Sequence, residues 1–144
     1  MTPTSPFSFE LPTRIHFGTG VAKNLPNLLQ EAGILKPLLV TDAGVRGAGL
    51  LDRFLSPLRE RGFRFEIYDA VEANPKDRDA DKGAERMRRS GCDGLVAIGG
   101  GSPIDCAKAI NILLTNPSPI NQYDGIGLVK NPTRPLLAIP TTAG

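Results

Sequence analysis

An α/β fold, a doubly wound parallel sheet in a single domain, is predicted by three features of the sequence. Short unbroken apolar runs, Pro37–Thr41, Gly94–Ile98 and Leu136–Ile139, read as strands that a parallel sheet buries on both faces. Segments with helical spacing alternate with them, which is the pattern of βαβ units with helices on either side of the sheet. One of the runs, Leu95-Val96-Ala97-Ile98, enters three consecutive glycines, Gly99-Gly100-Gly101, and Ser102-Pro103 then opens an apolar-rich helix.

Length and composition agree with that class. The chain has 144 residues, 40% hydrophobic and 22% charged, with a net charge of +2. A domain of about 150 residues buries roughly 70% of the surface exposed by its unfolded chain, which is enough for a real core. The small positive charge gives no argument for nucleic acid: Arg86, Arg88 and Arg89 cluster, but Glu85 beside them marks a solvated helix face. No segment approaches the ~18 apolar residues of a membrane span, and the N-terminus carries no signal-peptide core. Two cysteines, Cys92 and Cys106, make no disulfide framework, so a cytoplasmic protein is expected.

Taken in order, residues 1–8, with two prolines, read as a loose tail ahead of a domain over 9–144. Arg14-Ile15-His16-Phe17 alternates and ends at Gly18-Thr19-Gly20, as a strand entering a turn. His16 is the one histidine, and a metal site needs several ligands, so no metal or catalytic role is assigned to it. Leu25, Leu28 and Leu29 are helically spaced over Asn24–Ala32, with Pro26 near the helix start. Leu51, Phe54, Leu55 and Leu58 form a second helical face, which Pro57 is expected to bend or shorten. Arg64–Tyr68 alternates as a strand reaching Asp69, and Glu72-Ala73-Asn74-Pro75 is a loop. Asp77 is placed as the cap of a helix through Ser90 that turns Ala80, Ala84 and Met87 inward. After the glycine turn, Ile104, Ala107, Ile110, Ile112, Leu113 and Leu114 make a helix apolar almost all round. Asn116–Lys130 is loop, and Leu136–Ile139 is the last strand.

The glycine turn is the chemical centre of the chain. Glycine permits φ > 0 and close backbone approach. Ser102 suits an N-cap, Pro103 the first helical position, and Asp105 the third, where a carboxylate meets free N–H groups. A helix N-terminus behind such a turn suits an anion; the less favoured alternative is that Ser102 and Asp105 serve only as a capping box. The spacing is neither GxGxxG nor that of a P-loop. Asp42 ends its strand, where an acidic residue accepts hydrogen bonds from an adenosine ribose and repels a 2′-phosphate; a plain capping Asp reads as well. Lys108 is either solvated or part of the site. Cys106, one turn into the helix, reads as a packing residue rather than a nucleophile. Right-handed crossovers would bring Asp42, Gly99–Ser102 and Thr141-Thr142 to one edge of the sheet.

These motifs together resemble the iron-containing (group III) alcohol dehydrogenases, over about Phe9 to Gly144. Gly99-Gly100-Gly101-Ser102-Pro103-Ile104-Asp105-Cys106-Ala107-Lys108 is similar to that family's pyrophosphate-binding signature, and Ile139-Pro140-Thr141-Thr142-Ala143-Gly144 to its second coenzyme-binding stretch. Val40-Thr41-Asp42, Asn74-Pro75, Tyr123-Asp124-Gly125 and Pro135–Pro140 fall where the family has similar segments. The resemblance implies a Rossmann-like domain that binds NAD, with NADP disfavoured by Asp42. It implies coenzyme contacts from Asp42, Asn74, Gly99, Gly100, Gly101, Ser102, Asp105, Thr141 and Thr142. It also implies a second, helical domain that holds Fe²⁺ or Zn²⁺ through an aspartate and three histidines, a small alcohol or aldehyde substrate, and a homo-oligomer. The chain stops within the Thr-Thr-Ala-Gly motif and holds one histidine, so neither that domain nor its metal site is expected here, and no catalytic residue is assigned. The alternatives are a stand-alone nucleotide- or phosphate-binding module, and a related glycerol dehydrogenase, maleylacetate reductase or dehydroquinate synthase-like enzyme.

Overall fold

The computed structural model describes residues 8, 10–72 and 77–142. Four strands, β1 (Pro37–Asp42), β2 (Glu66–Val71), β3 (Gly94–Gly99) and β4 (Leu136–Pro140), form one sheet in the order β2-β1-β3-β4. Every neighbouring pair is parallel, with Leu39 beside Ile67 on one side and Val96 on the other. Among the described residues five α-helices accompany them: α1 (Leu25–Glu31), α2 (Ala43–Gly47), α3 (Leu50–Glu60), α4 (Asp77–Ser90) and α5 (Gly101–Thr115).

The strand residues divide by parity between two cores, as the two-residue side-chain period requires. Leu38, Val40, Leu95 and Ala97 pack against Ala80, Ala84 and Met87 of α4 and Cys106, Ala107 and Ile110 of α5. Leu39, Val96 and Ile98 face the other way, onto Leu25 and Leu29 of α1 and Leu51, Leu55 and Leu58 of α3. Both faces of β1 and β3 are therefore covered, which explains their unbroken apolar sequences. The chain steps from β1 to β2 on one side, then returns past β1 to place β3 on the other. That reversal leaves a crevice at the C-terminal ends of β1 and β3.

Polar side chains fix the strands and the last loop. At the N-terminal end of the central pair, Asp93 accepts from the amides of Leu35 (3.0 Å to Oδ2) and Lys36 (2.9 Å to Oδ1). At the other end, the buried Thr41 hydroxyl donates to the Ile98 carbonyl at 2.8 Å. Asn111 on α5 clasps Arg134 just before β4, donating to its carbonyl (2.8 Å) and accepting from its amide (2.9 Å). Asn116 does the same for Asn131.

Several expectations are corrected. Arg14–Phe17 is not a strand and pairs with none of the four; Ile15 is 68% and Phe17 99% exposed. Alternation marks a segment able to pair, and does not by itself supply a partner. The β2 strand starts two residues late, at Glu66, and runs on to Val71. Helix α3 runs through Pro57 to Glu60, because the fully buried Leu58 lies beyond the proline and anchors the last turn. Helix α4 ends at Ser90 as expected and takes in Asp77 as its first residue rather than as its cap. Among the described residues no helix is long and apolar enough to cross a membrane.

Candidate functional site

At the crevice between β1 and β3 lies an open cleft of about 290 Å³. Three separated pieces of sequence meet there: Asp42 from β1, Gly100-Gly101-Ser102 from the glycine turn, and Thr141-Thr142 beyond β4. Gly99 stands one residue behind the lining. Asp105 does not reach the cleft; its carboxylate lies on the helix surface, 3.4 Å from Lys108 Nζ, with both side chains mostly exposed. That pairing also accounts for Lys108 as a solvated residue. Asn74 lies outside the described residues.

The turn is built by glycine geometry. Gly99 has φ +145°, and a Cβ there would come within 2.7 Å of Pro103 Cγ, so the position excludes a side chain on both counts. A Cβ on Gly100 would lie 3.3 Å from Thr142 Oγ1, whereas at Gly101 it would meet open space. The Thr141 amide donates to the Gly99 carbonyl at 2.9 Å, which holds the threonine pair against the turn.

Helix α5 begins at Gly101, with Gly100 in the N-cap place and no side-chain cap. Ser102 is thus the second helical residue and Asp105 the fifth, and neither makes the predicted cap. An extended glycine (φ −81°, ψ −157°) starts the helix by backbone geometry alone. The first turn, which carries the positive end of the helix dipole, lines the cleft.

Asp42 supplies the opposite charge across the cleft. Its Oδ1 accepts from the Val45 amide at 2.9 Å, capping α2, so the capping reading holds. Its Oδ2 has no hydrogen bond among the described residues and remains to accept from a ligand. Gly44 lets the first turn of α2 lie close to it, since a Cβ there would sit 3.1 Å from Oδ1. Val45 and Leu50 add an apolar wall. The cleft therefore offers carboxylate acceptors on one strand and an anion-seeking helix start on its neighbour, the arrangement that suits a ribose joined to a diphosphate.

Thr41, Val45 and Leu50 escape sequence reasoning. Thr41 looks like one more β-branched strand residue, and Val45 lies in α2, whose five residues are too few to show periodicity. The Asp-x-x spacing of an N-cap is the one signal that marks Val45.

Cys106 is 1% exposed within the core under α5. Burial, with a lesser contribution from Asp79, pushes its thiol up to about 12, opposite to the effect of a helix dipole on a reactive cysteine. His16 is exposed, and no group of three metal-binding side chains occurs among the described residues.

A family model for iron-containing alcohol dehydrogenase matches residues 12–144. The chain is 41% identical over 140 residues to a 1,3-propanediol dehydrogenase of Klebsiella pneumoniae, covering 96% of this chain and 36% of that protein. Among solved structures it is similar to a 1,3-propanediol oxidoreductase, with a TM-score of 0.91 and 41% identity over 97% of this chain and 37% of the other. It is also similar to a sulfoacetaldehyde reductase from Bifidobacterium kashiwanohense in complex with NAD⁺, with a TM-score of 0.83 and 30% identity over 97% and 37%. The chain spans about a third of the length of these relatives.

Proposed function

The chain belongs to the iron-containing alcohol dehydrogenase family, and from that premise we propose that its cleft is the NAD site of an enzyme interconverting alcohols with aldehydes or ketones. The observation that carries this reading is the convergence of Asp42, Gly100–Ser102 and Thr141–Thr142 on one cleft at the reversal point of the sheet. Asp42 accepts from the hydroxyls of the adenosine ribose, and its charge disfavours a 2′-phosphate, which selects NAD over NADP. The first turn of α5 receives the diphosphate, with Gly100 and Gly101 allowing close approach. The threonine hydroxyls donate to the same diphosphate from the far wall. When bound, the coenzyme supplies hydride transfer to and from the substrate carbon; the residues here bind and orient it. The carbonyl-side chemistry belongs to residues outside these 144, and the substrate is a small alcohol or aldehyde. In keeping with the family, we read the protein as a cytoplasmic homo-oligomer.

Calorimetric titration of the purified 144-residue chain tests the reading. NAD⁺ is expected to bind, and more tightly than NADP⁺. Asp42→Ala should weaken NAD⁺ about tenfold or more, in line with a hydrogen bond to a charged group, and narrow the gap to NADP⁺. Gly100→Val should weaken both coenzymes by crowding Thr142. Tighter binding of NADP⁺ than of NAD⁺ would overturn the role of Asp42, and binding of neither would overturn the site. The chain alone is expected to form no NADH with alcohols, because it holds a single histidine and no metal site among its described residues.

A further inference from the structure

We infer that Thr41 is a positioning residue that sets the distance between the two halves of the cleft, the ribose acceptor Asp42 and the glycine turn. This rests on the dinucleotide reading above. The last paired residues of β1 and β3 are Val40 and Ala97. Beyond them the strands part, and the cleft opens in the gap. Across its floor, the Thr41 hydroxyl donates to the Ile98 carbonyl at 2.8 Å. Both residues are fully buried, so no water substitutes for either group. Thr41 immediately precedes Asp42, and Ile98 immediately precedes Gly99; one hydrogen bond thus couples two binding pieces that lie 57 residues apart.

On the other side, Asp42 pairs with Val71 of β2 across a one-residue shift in register after Val40. Toward β3 the paired register ends at Val40, so there Asp42 is referenced to the glycine turn through Thr41. The Asp93 clamp at the opposite ends of the same strands holds their pairing whatever happens at Thr41. Loss of the hydroxyl should consequently alter the spacing of the cleft and leave the sheet in place.

The proposal separates ligands that touch one half from those that span both. Adenosine engages the Asp42 side and inorganic pyrophosphate the α5 side, whereas ADP and NAD⁺ bridge them. Titrating Thr41→Val and Thr41→Ser with all four ligands, beside urea unfolding of each variant, makes the test. We expect Thr41→Val to weaken ADP and NAD⁺ about fivefold, the worth of one hydrogen bond, with adenosine and pyrophosphate unchanged. Thr41→Ser should restore the bridging ligands. Equal loss for all four ligands would show a merely structural role and overturn the proposal, as would unchanged ADP binding in Thr41→Val. If the unaltered chain binds none of the four, the dinucleotide reading itself fails, and this one with it.

Discussion

Cys106 and Tyr68 are two neutral acids shut inside the core beneath α5. Burial is the largest influence on each: it pushes the thiol from its ordinary 9.0 to about 12, and the phenol, to which Cys106, Asp79 and Glu72 also contribute, from 10.0 to about 12. Both folded values lie above the unfolded ones. Between roughly pH 9 and 12 the unfolded chain gives up protons that the folded chain keeps, so stability from these groups is full below pH 9 and is lost as the pH rises toward 12. The urea midpoint should therefore fall across that window, and less steeply in Cys106→Ala. Parallel slopes for the two proteins would contradict the assignment. Thiol alkylation at pH 8 should spare Cys106 in the folded state. At this scale the sequence was a good guide to chemical type and a weaker one to partners. The packing role of Cys106 followed from its apolar helix. Asp105 was misjudged because its place depended on a cap that Gly100 makes unnecessary, and its carboxylate went to Lys108 instead.

Elements whose boundaries are written in local chemistry were legible. Helix α4 starts at Asp77 and stops before Gly91, whose φ of +68° ends it, and its inward residues follow the 3.6 period. Arg14–Phe17 shows the limit: its alternation is real, but a strand is a property of two segments. The loop between α5 and β4 was equally opaque, because the residues that fasten it are asparagines within or just past an apolar helix. Asn111→Leu should leave the Arg134 amide and carbonyl without their partner, destabilising the fold by about 1–3 kcal/mol. Hydrogen exchange should rise selectively over residues 134–140, and NAD⁺ should bind less tightly because Thr141 and Thr142 continue from β4. Unchanged exchange in β4 would show that the strand holds itself.

For the molecule as a whole, one margin of the sheet is charged. Beside β2, Arg46 pairs with Asp69 and Arg86 with Glu66, and charges at an edge discourage pairing with another chain. Beyond the sheet, Phe17 and Ile126 are almost fully exposed, with Ile15 and Leu35 largely so. Exposed apolar side chains of this number favour association, and sedimentation should show complexes that grow with protein concentration. A monomer over a wide concentration range would count against it. The doubly wound arrangement and the meeting of Asp42, the glycine turn and Thr141–Thr142 were legible because alternating segment types and handed crossovers leave few topologies.

The position of β1 between β2 and β3 also has a temporal meaning. A ribosome delivers β1 and β2 first, and these two can pair while the rest is still being made. The crevice does not yet exist, for it needs β3, and its far wall needs Thr141 and Thr142 beyond β4. On the coenzyme reading proposed above, a nascent chain would have nothing to offer a dinucleotide until β4 had emerged. The ligand would then bear on how long the formed sheet persists rather than on how fast it folds.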